Sequence, residues 1–244
     1  MLTALLYHKI GLSKYGNSLE MLEEHFLEIA KRYPTTLPGG PLYKGMNVCI
    51  TFDDAFFDFY HHVFPLLQKY NLKALLAVPT AYIPEKTTLS PLERLEKIHI
   101  LPDKPPPIPS PAFCSWEELK ELSLSPLIQI ASHSVHHRPL TAPSIDPEYE
   151  LLASKTELEE KLGIPITTFV YPFGLMNKKV HTLAKKHYSY IFRIGNALNR
   201  TWYNTNSLLY RTSGDALLSP KAPFTPLAHF HHAARYLFNT MRKK

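Results

Sequence analysis

Two aspartates and two histidines at the ends of apolar segments could together perform hydrolysis. Asp53 and Asp54 directly follow one apolar run, and His133 and His137 follow another. One carboxylate oxygen of Asp54 and the two imidazoles form a ligand set suited to Zn²⁺, with Co²⁺, Ni²⁺ and Fe²⁺ as alternatives. This set leaves a coordination position for water, and Asp53 beside it would take the proton of that water as general base. The pattern predicts a metal-dependent hydrolase.

Each pair of residues also has a structural interpretation. Adjacent aspartates after a strand often cap a helix or bind Mg²⁺ in phosphoryl chemistry. Histidine doublets recur at 61–62 and 231–232, and the spacing of His133 and His137 places both rings on one side only if their loop is helical. However, a third segment, YPFG at 171–174, also follows an apolar run. Because the carboxyl ends of parallel barrel strands gather on one face, we expect the three segments to form one site.

The elements that must position these residues alternate between short apolar runs and amphipathic segments. The predicted strands are 2–7, 48–52, 75–78, 127–131, 166–170, 190–194 and 208–210. The predicted helices are 19–30 after an N-cap at Ser18, 60–70, 116–122 after Ser115, 147–162 closed by Gly163, 176–187 and 226–241. This alternation favours an α/β fold with a parallel sheet covered on both faces. At 244 residues, we expect one domain spanning 1–244.

Residues 83–113 interrupt this alternation with a proline-rich insertion. It contains a short helical candidate at 92–98 and the stretch DKPPPIPSP, whose prolines exclude regular ladders and favour a stiff extended loop. Such a loop either shapes a substrate groove or simply covers the barrel, and we favour the covering role.

Composition and charge narrow the class of protein. The net charge is +6, but the basic residues are scattered apart from Arg242, Lys243 and Lys244, and no nucleic-acid-binding motif is present. Cys49 and Cys114 lie in no metal-binding spacing and indicate no disulfide framework. The N-terminus lacks the features of a secretory signal, and no apolar stretch approaches the roughly 20 residues that span a bilayer. We expect a cytoplasmic protein, unless a signal has been removed, without a nucleic-acid partner.

At these residues the sequence resembles the polysaccharide deacetylases, which form carbohydrate esterase family four and share the NodB homology domain. TFDD at 51–54 matches the first motif of the family, SHSVHHRPL at 132–140 the second, and FVYPFG at 169–174 the third. LLYHKI at 5–10 is similar to a segment of the branch that acts on poly-N-acetylglucosamine. The resemblance covers most of the chain and implies a distorted (β/α)₇ TIM-like barrel.

Carried over residue by residue, the resemblance implies Asp53 as general base and Asp54, His133 and His137 as metal ligands. It implies no role for His136, which falls between the two histidine ligands. It also implies a groove wall made by four consecutive residues, Tyr171, Pro172, Phe173 and Gly174.

Three positions depart from the family pattern. The residue after the aspartates is usually glycine but here is Ala55, which constrains the backbone. The third motif lacks the arginine that orients the base, and Arg211 in YRTSGD could replace it from another strand. The histidine that serves as general acid in the last motif has two candidates, which are His229 in LAHF and His8 at the end of the first strand. His229 also fits an ordinary surface helix, and His8 could serve packing alone.

The resemblance implies removal of the N-acetyl group from an N-acetylated saccharide, such as poly-N-acetylglucosamine or a peptidoglycan-type sugar. The metal and a backbone N–H near Tyr171 would hold the tetrahedral oxyanion. One alternative is an amide or ester hydrolase of the same fold that acts on a formyl group, a cyclic amide or a lipid-linked sugar. A second is a non-catalytic sugar-binding relative. A phosphohydrolase is disfavoured because no glycine-rich phosphate loop is present. The exact substrate, the metal and the oligomeric state remain open at this point.

Overall fold

The computed structural model describes residues 1–102, 105–203 and 207–241. Seven parallel strands close into a barrel. In barrel order they are β1 Leu2–Tyr7, β4 Asn47–Phe52, β5 Ala74–Val78, β6 Ile128–Ser132, β7 Thr168–Val170, β8 Tyr190–Ile194 and β9 Leu208–Ser213, and the strands β2 Lys9–Ile10 and β3 Gly16–Asn17 form a separate pair. The predicted seven-stranded α/β barrel is therefore confirmed. Two residues of the proline-rich stretch, 103–104, and the basic residues 242–244 lie outside the described residues.

Seven α-helices of the described chain surround or flank the barrel. They are α1 Leu19–Arg32, α2 Phe64–Tyr70, α3 Pro91–His99, α4 Trp116–Leu124, α5 Pro147–Leu162, α6 Lys178–His187 and α7 Pro226–Met241. Ser18 and Ser115 accept backbone N–H groups at the starts of α1 and α4, and Gly163 ends α5 at φ +70°. These side chains and this left-handed glycine satisfy helix ends that would otherwise lack partners, as their positions in the sequence predict.

The register of the barrel brings the reactive segments to one edge. Phe52 at the end of β4 lies beside Tyr7 of β1 and Leu76 of β5. Ser132 at the end of β6 lies beside Phe169 of β7. The residues that follow these strands therefore emerge at the carboxyl end of the barrel, where the sites of such barrels form.

Local structure differs from the predictions in two places near this edge. A small parallel pair, β2 Lys9–Ile10 and β3 Gly16–Asn17, stands beside the barrel, and two residues per strand are too few for apolar periodicity to reveal. The start of the predicted helix at 60–70 is a π-helix, Phe59–Val63, which then continues as α2. Such π-helical turns occur often at functional sites.

The insertion at 83–113 is anchored by a buried arginine on α3. The Arg94 guanidinium contacts Glu118 at 2.5 and 2.9 Å and donates to the carbonyl oxygens of Pro111 and Phe113. It also lies 3.5 Å from the centre of the Phe57 ring. The bonds to Pro111 and Phe113 tie α3 to the far end of the insertion, and the contacts with Glu118 and Phe57 hold the insertion against α4 and the segment after β4.

Candidate active site

Asp54, His133 and His137 lie close enough to share one cation. Their ligand atoms all fall within 4.8 Å of one another, and they are the group of this kind found among the described residues. Asp54 Oδ1 lies 3.4 Å from His137 Nε2 and 3.8 Å from His133 Nε2. Tetrahedral ligands at bonds of roughly 2.0–2.2 Å are about 3.3–3.6 Å apart, so the spacing fits a metal such as Zn²⁺.

His133 is oriented and kept neutral by its surroundings. Its Nδ1 donates to the carbonyl oxygen of Val170 at 2.8 Å, which leaves Nε2 pointing at the two aspartates. Burial lowers the pKa of His133 to about 4 despite the nearby charge of Asp53. A neutral imidazole with its second nitrogen held by a hydrogen bond is the form that binds a metal.

The loop that carries both histidines is held by a buried glutamate on α5. One oxygen of Glu150 accepts the N–H groups of Val135 and His136 at 2.9 and 3.0 Å, and the other contacts His136 Nδ1 at 2.6 Å. His136 therefore contacts Glu150 rather than the predicted metal site, and the resemblance implies no role for it. The loop is not helical, because Ser134 and His137 have φ values of +67° and +47°. Hydrogen bonds, not helical spacing, place the two ligand rings together.

Asp53 forms a buried ion pair with Arg211. The guanidinium donates from Nη1 to Oδ1 at 2.6 Å and from Nη2 to Oδ2 at 2.9 Å, and Nη1 also contacts the Thr51 hydroxyl at 3.2 Å. Burial favours the neutral form of Asp53, but the charge and the hydrogen bonds of Arg211 outweigh burial and hold the pKa of Asp53 well below the usual range. Arg211 thus lies where the predicted orienting arginine is needed, on β9 beside β1.

His8 faces the same pocket from the end of β1. Its Nδ1 donates to Asp215 Oδ2 at 2.6 Å, and its backbone N–H donates to Asp215 Oδ1 at 3.1 Å. Burial lowers the pKa of His8, but the hydrogen bond and the charge of Asp215 outweigh it and raise the pKa to about 9. The ring is therefore protonated at neutral pH and can donate a proton.

The second candidate acid, His229, does not line the pocket. It lies on α7, and its ring nitrogen Nε2 is buried without a hydrogen-bond partner within the described structure. The sequence LAHF matches a motif, but the helix that carries it packs away from the residues that surround Asp53. Of the two candidate histidines, the structure brings only His8 to the metal-site residues.

The pocket over the site has a volume of about 470 Å³ and mixed walls. Aromatic and aliphatic side chains from the barrel, the β2–β3 pair and the insertion surround the charged residues; they include Tyr15, Phe56, Tyr82, Leu101, Phe113, Phe173 and Ile194. Lys9 stands at the same wall. The insertion thus forms part of the pocket wall, which goes beyond the covering role favoured from its sequence.

Only one of the four predicted groove residues reaches the pocket. Phe173 is exposed, lines the pocket and packs against His137 with the two rings tilted, 4.7 Å between ring centres. Tyr171, Pro172 and Gly174 are buried instead. Gly174 has φ +65°, and a Cβ there would lie 3.0 Å from Ile194. These three residues shape the turn that presents Phe173, and they are not a wall themselves.

Left-handed backbone is concentrated at this site. Five non-glycine residues there have φ between +47° and +70°; they are Asp54, Ala55, Ser134, His137 and Phe173. Each such residue costs on the order of 1 kcal/mol or more, and strain of this kind is typical of functional sites. Ala55 occupies the position where the family pattern has glycine, the residue that enters this conformation freely. Ala55 therefore has the constrained left-handed backbone that is expected when alanine replaces glycine at this position.

Sequence reasoning missed Asp215 and Glu150, both of which hold other site residues. Asp215 follows β9 at the carboxyl edge, and an acidic residue in that position is itself a signal of function. Glu150 shares a buried helical face with Ser154, Leu158 and Leu162. A lone acidic residue at the apolar spacing of a helix could have revealed it, because buried carboxylates need partners.

Comparison with known proteins identifies the family. Residues 43–190 match the family model described as polysaccharide deacetylase. The match contains the two aspartates, both histidines and Phe173, and it covers more than half of the chain. The chain belongs to the polysaccharide deacetylase family. His8, Arg211 and Asp215 lie outside the matched residues. No curated protein matches the chain by sequence.

Solved structures confirm the fold. IcaB from Ammonifex degensii superposes with a TM-score of 0.70 at 20% identity, covering 96% of each chain. The Streptococcus pyogenes deacetylase PplD, solved in complex with acetate, gives 0.69 at 20% identity and covers 90% of this chain and 95% of that one. BA0330 from Bacillus anthracis gives 0.72 at 20% identity, and the match covers 90% of this chain but only 66% of BA0330. At such identities the likeness establishes the barrel, not the substrate.

Proposed function

We propose that this protein is a metal-dependent N-deacetylase of an N-acetylated saccharide, such as poly-N-acetylglucosamine or a peptidoglycan-type sugar. The observation that carries the proposal is the cluster of Asp54, His133 and His137, with an ionised Asp53 beside it at the floor of a pocket. Zn²⁺ is the cation we propose for these two imidazoles and one carboxylate, and Co²⁺, Ni²⁺ and Fe²⁺ accept the same set of ligands.

Asp53 is suited to act as the general base. A divalent metal held by the three ligands would supply an acidified water and polarise the substrate carbonyl. Asp53 accepts the proton of the attacking water, because Arg211 keeps its carboxylate ionised and fixed in direction. Its oxygens carry about four acceptor sites in all, so the two bonds from Arg211 leave room for a proton.

The turn after β7 offers one backbone donor for the oxyanion. The N–H of Tyr171 already donates to Phe192, and that of Gly174 donates to Tyr171. Pro172 has no N–H. In the described structure, the Phe173 N–H is the donor of this turn without a protein acceptor, and Phe173 lines the pocket. We propose that the Phe173 N–H is the backbone donor near Tyr171 that holds the oxyanion.

His8 is the general acid in this proposal. Cleavage of the C–N bond leaves an amine that must gain a proton, and His8 carries one at neutral pH. Asp215 fixes the ring through Nδ1, so the proton on Nε2 is the one that can be donated. This arrangement replaces His229, which lies outside the pocket lining.

The walls of the pocket support a saccharide as substrate. Sugar rings present apolar faces and polar edges, and this pocket combines aromatic side chains such as Phe113 and Phe173 with charged residues at its floor. A pocket with mostly apolar walls and a few polar groups is typical of small-molecule sites. The predicted cytoplasmic location stays a prediction. Among the described helices, none is both long and apolar enough to cross a bilayer.

The direct test is acetate release from N-acetylglucosamine oligomers, measured with and without a chelator. We expect release that chelation abolishes and Zn²⁺ or Co²⁺ restores. Asp53→Asn should retain metal yet lower kcat by about 10²–10⁴-fold, because it removes the base. Activity that survives chelation would refute the metal mechanism.

A substrate panel distinguishes the alternatives from the main proposal. Formylated sugars, cyclic amides and lipid-linked sugars should react more slowly than N-acetylglucosamine oligomers. If none of these substrates reacts while saccharide binding is retained and Asp53→Asn changes nothing, the protein is a non-catalytic sugar-binding relative.

A further inference from the structure

The small β2–β3 pair contacts the loop that follows β9, and this loop carries Asp215. Asn17 of β3 is buried, and its side chain bonds the loop backbone on both sides of Asp215. The Nδ2 group donates to the carbonyl oxygen of Gly214 at 2.8 Å. The Oδ1 atom accepts the N–H of Leu217 at 2.8 Å. One side chain therefore fixes the backbone directly before Asp215 and two residues after it.

The β2–β3 pair is anchored independently of this loop. The N–H of Ile10 donates to Oδ2 of Asp58 at 2.7 Å, and Asp58 is buried in the segment after β4. Within the pair, the N–H of Gly11 donates to the carbonyl oxygen of Asn17 at 2.8 Å. The strands also pack closely, because a Cβ on Gly16 would lie only 2.6 Å from the carbonyl oxygen of Gly11. Asn17 is therefore a fixed point against which the loop is placed.

The placement of this loop decides how the ring of His8 is held. Asp215 is in direct contact with His8, through the ring Nδ1 at 2.6 Å and the backbone N–H at 3.1 Å. The other groups that face the ring are more distant. Asp53 and Asp54 act on its charge from the segment after β4, and the centre of the Tyr15 ring lies 5.4 Å from that of His8. Because a hydrogen bond weakens steeply with distance and angle, a small shift of the loop would release the ring.

We propose that Asn17 is a positioning residue for the general acid and holds the loop so that Asp215 can fix the ring of His8. Asn17 itself lies outside the pocket lining of the described structure, so its action passes through Asp215. An amide suits this place because it offers a donor for Gly214 and an acceptor for Leu217 without adding a charge beside the ion pair. The assignment rests on the proposed role of His8 as acid.

Asn17→Ala and Asn199→Ala form a matched pair that separates positioning from general stability. Asn199 is also buried, and its amide makes the same two kinds of bond, to the carbonyl oxygen and the N–H of Tyr210, each at 2.9 Å. It pairs with Leu2, at the opposite end of β1 from His8. We expect both variants to melt at lower temperatures than the wild type, because each loses two buried hydrogen bonds. The state of His8 should change in Asn17→Ala alone.

Titration of the ring nitrogens of His8 by NMR tests the contact without any substrate. The signal is assigned by its absence in His8→Gln. The pKa of His8 is raised to about 9 in the wild type, and we expect the same value in Asn199→Ala. In Asn17→Ala it should fall below about 8, because a displaced Asp215 stabilises the protonated ring less. An unchanged pKa in Asn17→Ala, or an equal fall in both variants, overturns the proposal.

Acetate release provides a second measurement. Asn17→Ala should lower kcat about tenfold or more while KM and metal content stay constant, because only the orientation of the acid is lost. In the Asp215→Asn background, Asn17→Ala should cause little further loss, because its effect passes through Asp215. Losses that add in full would contradict this route. If the wild type releases no acetate, the proposed function fails, and the NMR titration still decides the role of Asn17.

A milder variant keeps the proposal testable if Asn17→Ala does not fold. Asn17→Asp has the same shape, keeps the acceptor for Leu217 and loses only the donor to Gly214. The proton on Nδ1 of His8 should then exchange with water faster than in the wild type. An unchanged exchange rate would show that the loop does not depend on Asn17 and would overturn the proposal.

Discussion

Two of the closely spaced histidine pairs of this protein lie in very different surroundings. His133 and His137 lie in a loop at the carboxyl end of the barrel, with Asp54 within 3.8 Å of both rings. His229 and His232 lie one turn apart on α7, and each has a buried ring nitrogen without a partner among the described residues. Burial lowers the pKa of His232, as it does that of His133. In each pair, burial therefore favours the neutral imidazole of one histidine, His133 in the first and His232 in the second.

The two pairs differ in whether a carboxylate lies beside the rings and whether hydrogen bonds hold the rings and their loop in place. The first pair is served by Asp54, by the Val170 carbonyl oxygen and by Glu150 beneath the loop. The segment that contains the second pair has no acidic residue from position 216 onward. Spacing that fits a metal is therefore insufficient. A metal site also needs a charged ligand and hydrogen bonds that fix each ring.

The largest expected effect comes from breaking the first pair. His137→Ala removes one of the three proposed metal ligands, and the His137 side chain is partly exposed. We expect loss of bound metal and a fall in acetate release of more than about 10³-fold, because a catalytic metal contributes several kcal/mol. His232→Ala is the matched control and should leave both unchanged. Metal content by elemental analysis and acetate release check this. If His137→Ala and His232→Ala lost metal and activity equally, the first pair could not be assigned a role that the second lacks.

The next largest expected effect concerns His8, the proposed proton donor. The pKa of His8 is raised from 6.5 to about 9, so the ring keeps its proton through neutral pH and loses it above about pH 9. The value of kcat/KM should therefore fall on the alkaline side near pH 9. His8→Gln should lower kcat about 10²-fold or more and abolish this limb.

Asp215→Asn is the control for the acid. It removes the charge that raises the pKa of His8, so the alkaline limb should move to lower pH while metal content stays constant. An alkaline limb that persists unchanged in His8→Gln would show that another group is the acid.

The smallest of these effects concerns Glu150, which holds the loop that carries the two proposed histidine ligands. Glu150→Gln keeps one acceptor but loses the charge that holds the backbone of Val135 and His136. We expect metal affinity to fall about 10-fold to 100-fold, because partners behind the ligands contribute on that scale. Glu148→Gln, on the exposed side of the same helix, should have no effect. Competition titration with a chromophoric chelator measures both, and unchanged affinity in Glu150→Gln would contradict the role of this residue.

Most of the barrel follows from local sequence patterns. The bounds of β1 and β8 agree with the predicted 2–7 and 190–194, and α5 and α7 agree with 147–162 and 226–241. These elements have apolar residues at strand or helix spacing and clear end signals, and both act over a few residues. β9 is longer than the predicted 208–210, because its last three residues are polar and pair with β8 and β1 only after the barrel closes.

The sequence by itself determined which strands are followed by potentially reactive residues, because a motif after an apolar run is a local feature. It determined Asp53, Asp54, His133 and His137 as candidates, and Arg211 as a possible replacement for a missing arginine. Tertiary structure decided which of them meet. Asp53 and Arg211 are 158 residues apart, and His8 and Asp215 are 207 apart. These pairs form because β9 returns beside β1 to close the barrel, and no spacing along the chain encodes that closure. For the same reason, only the folded structure separated His8 from His229 and Phe173 from its buried neighbours.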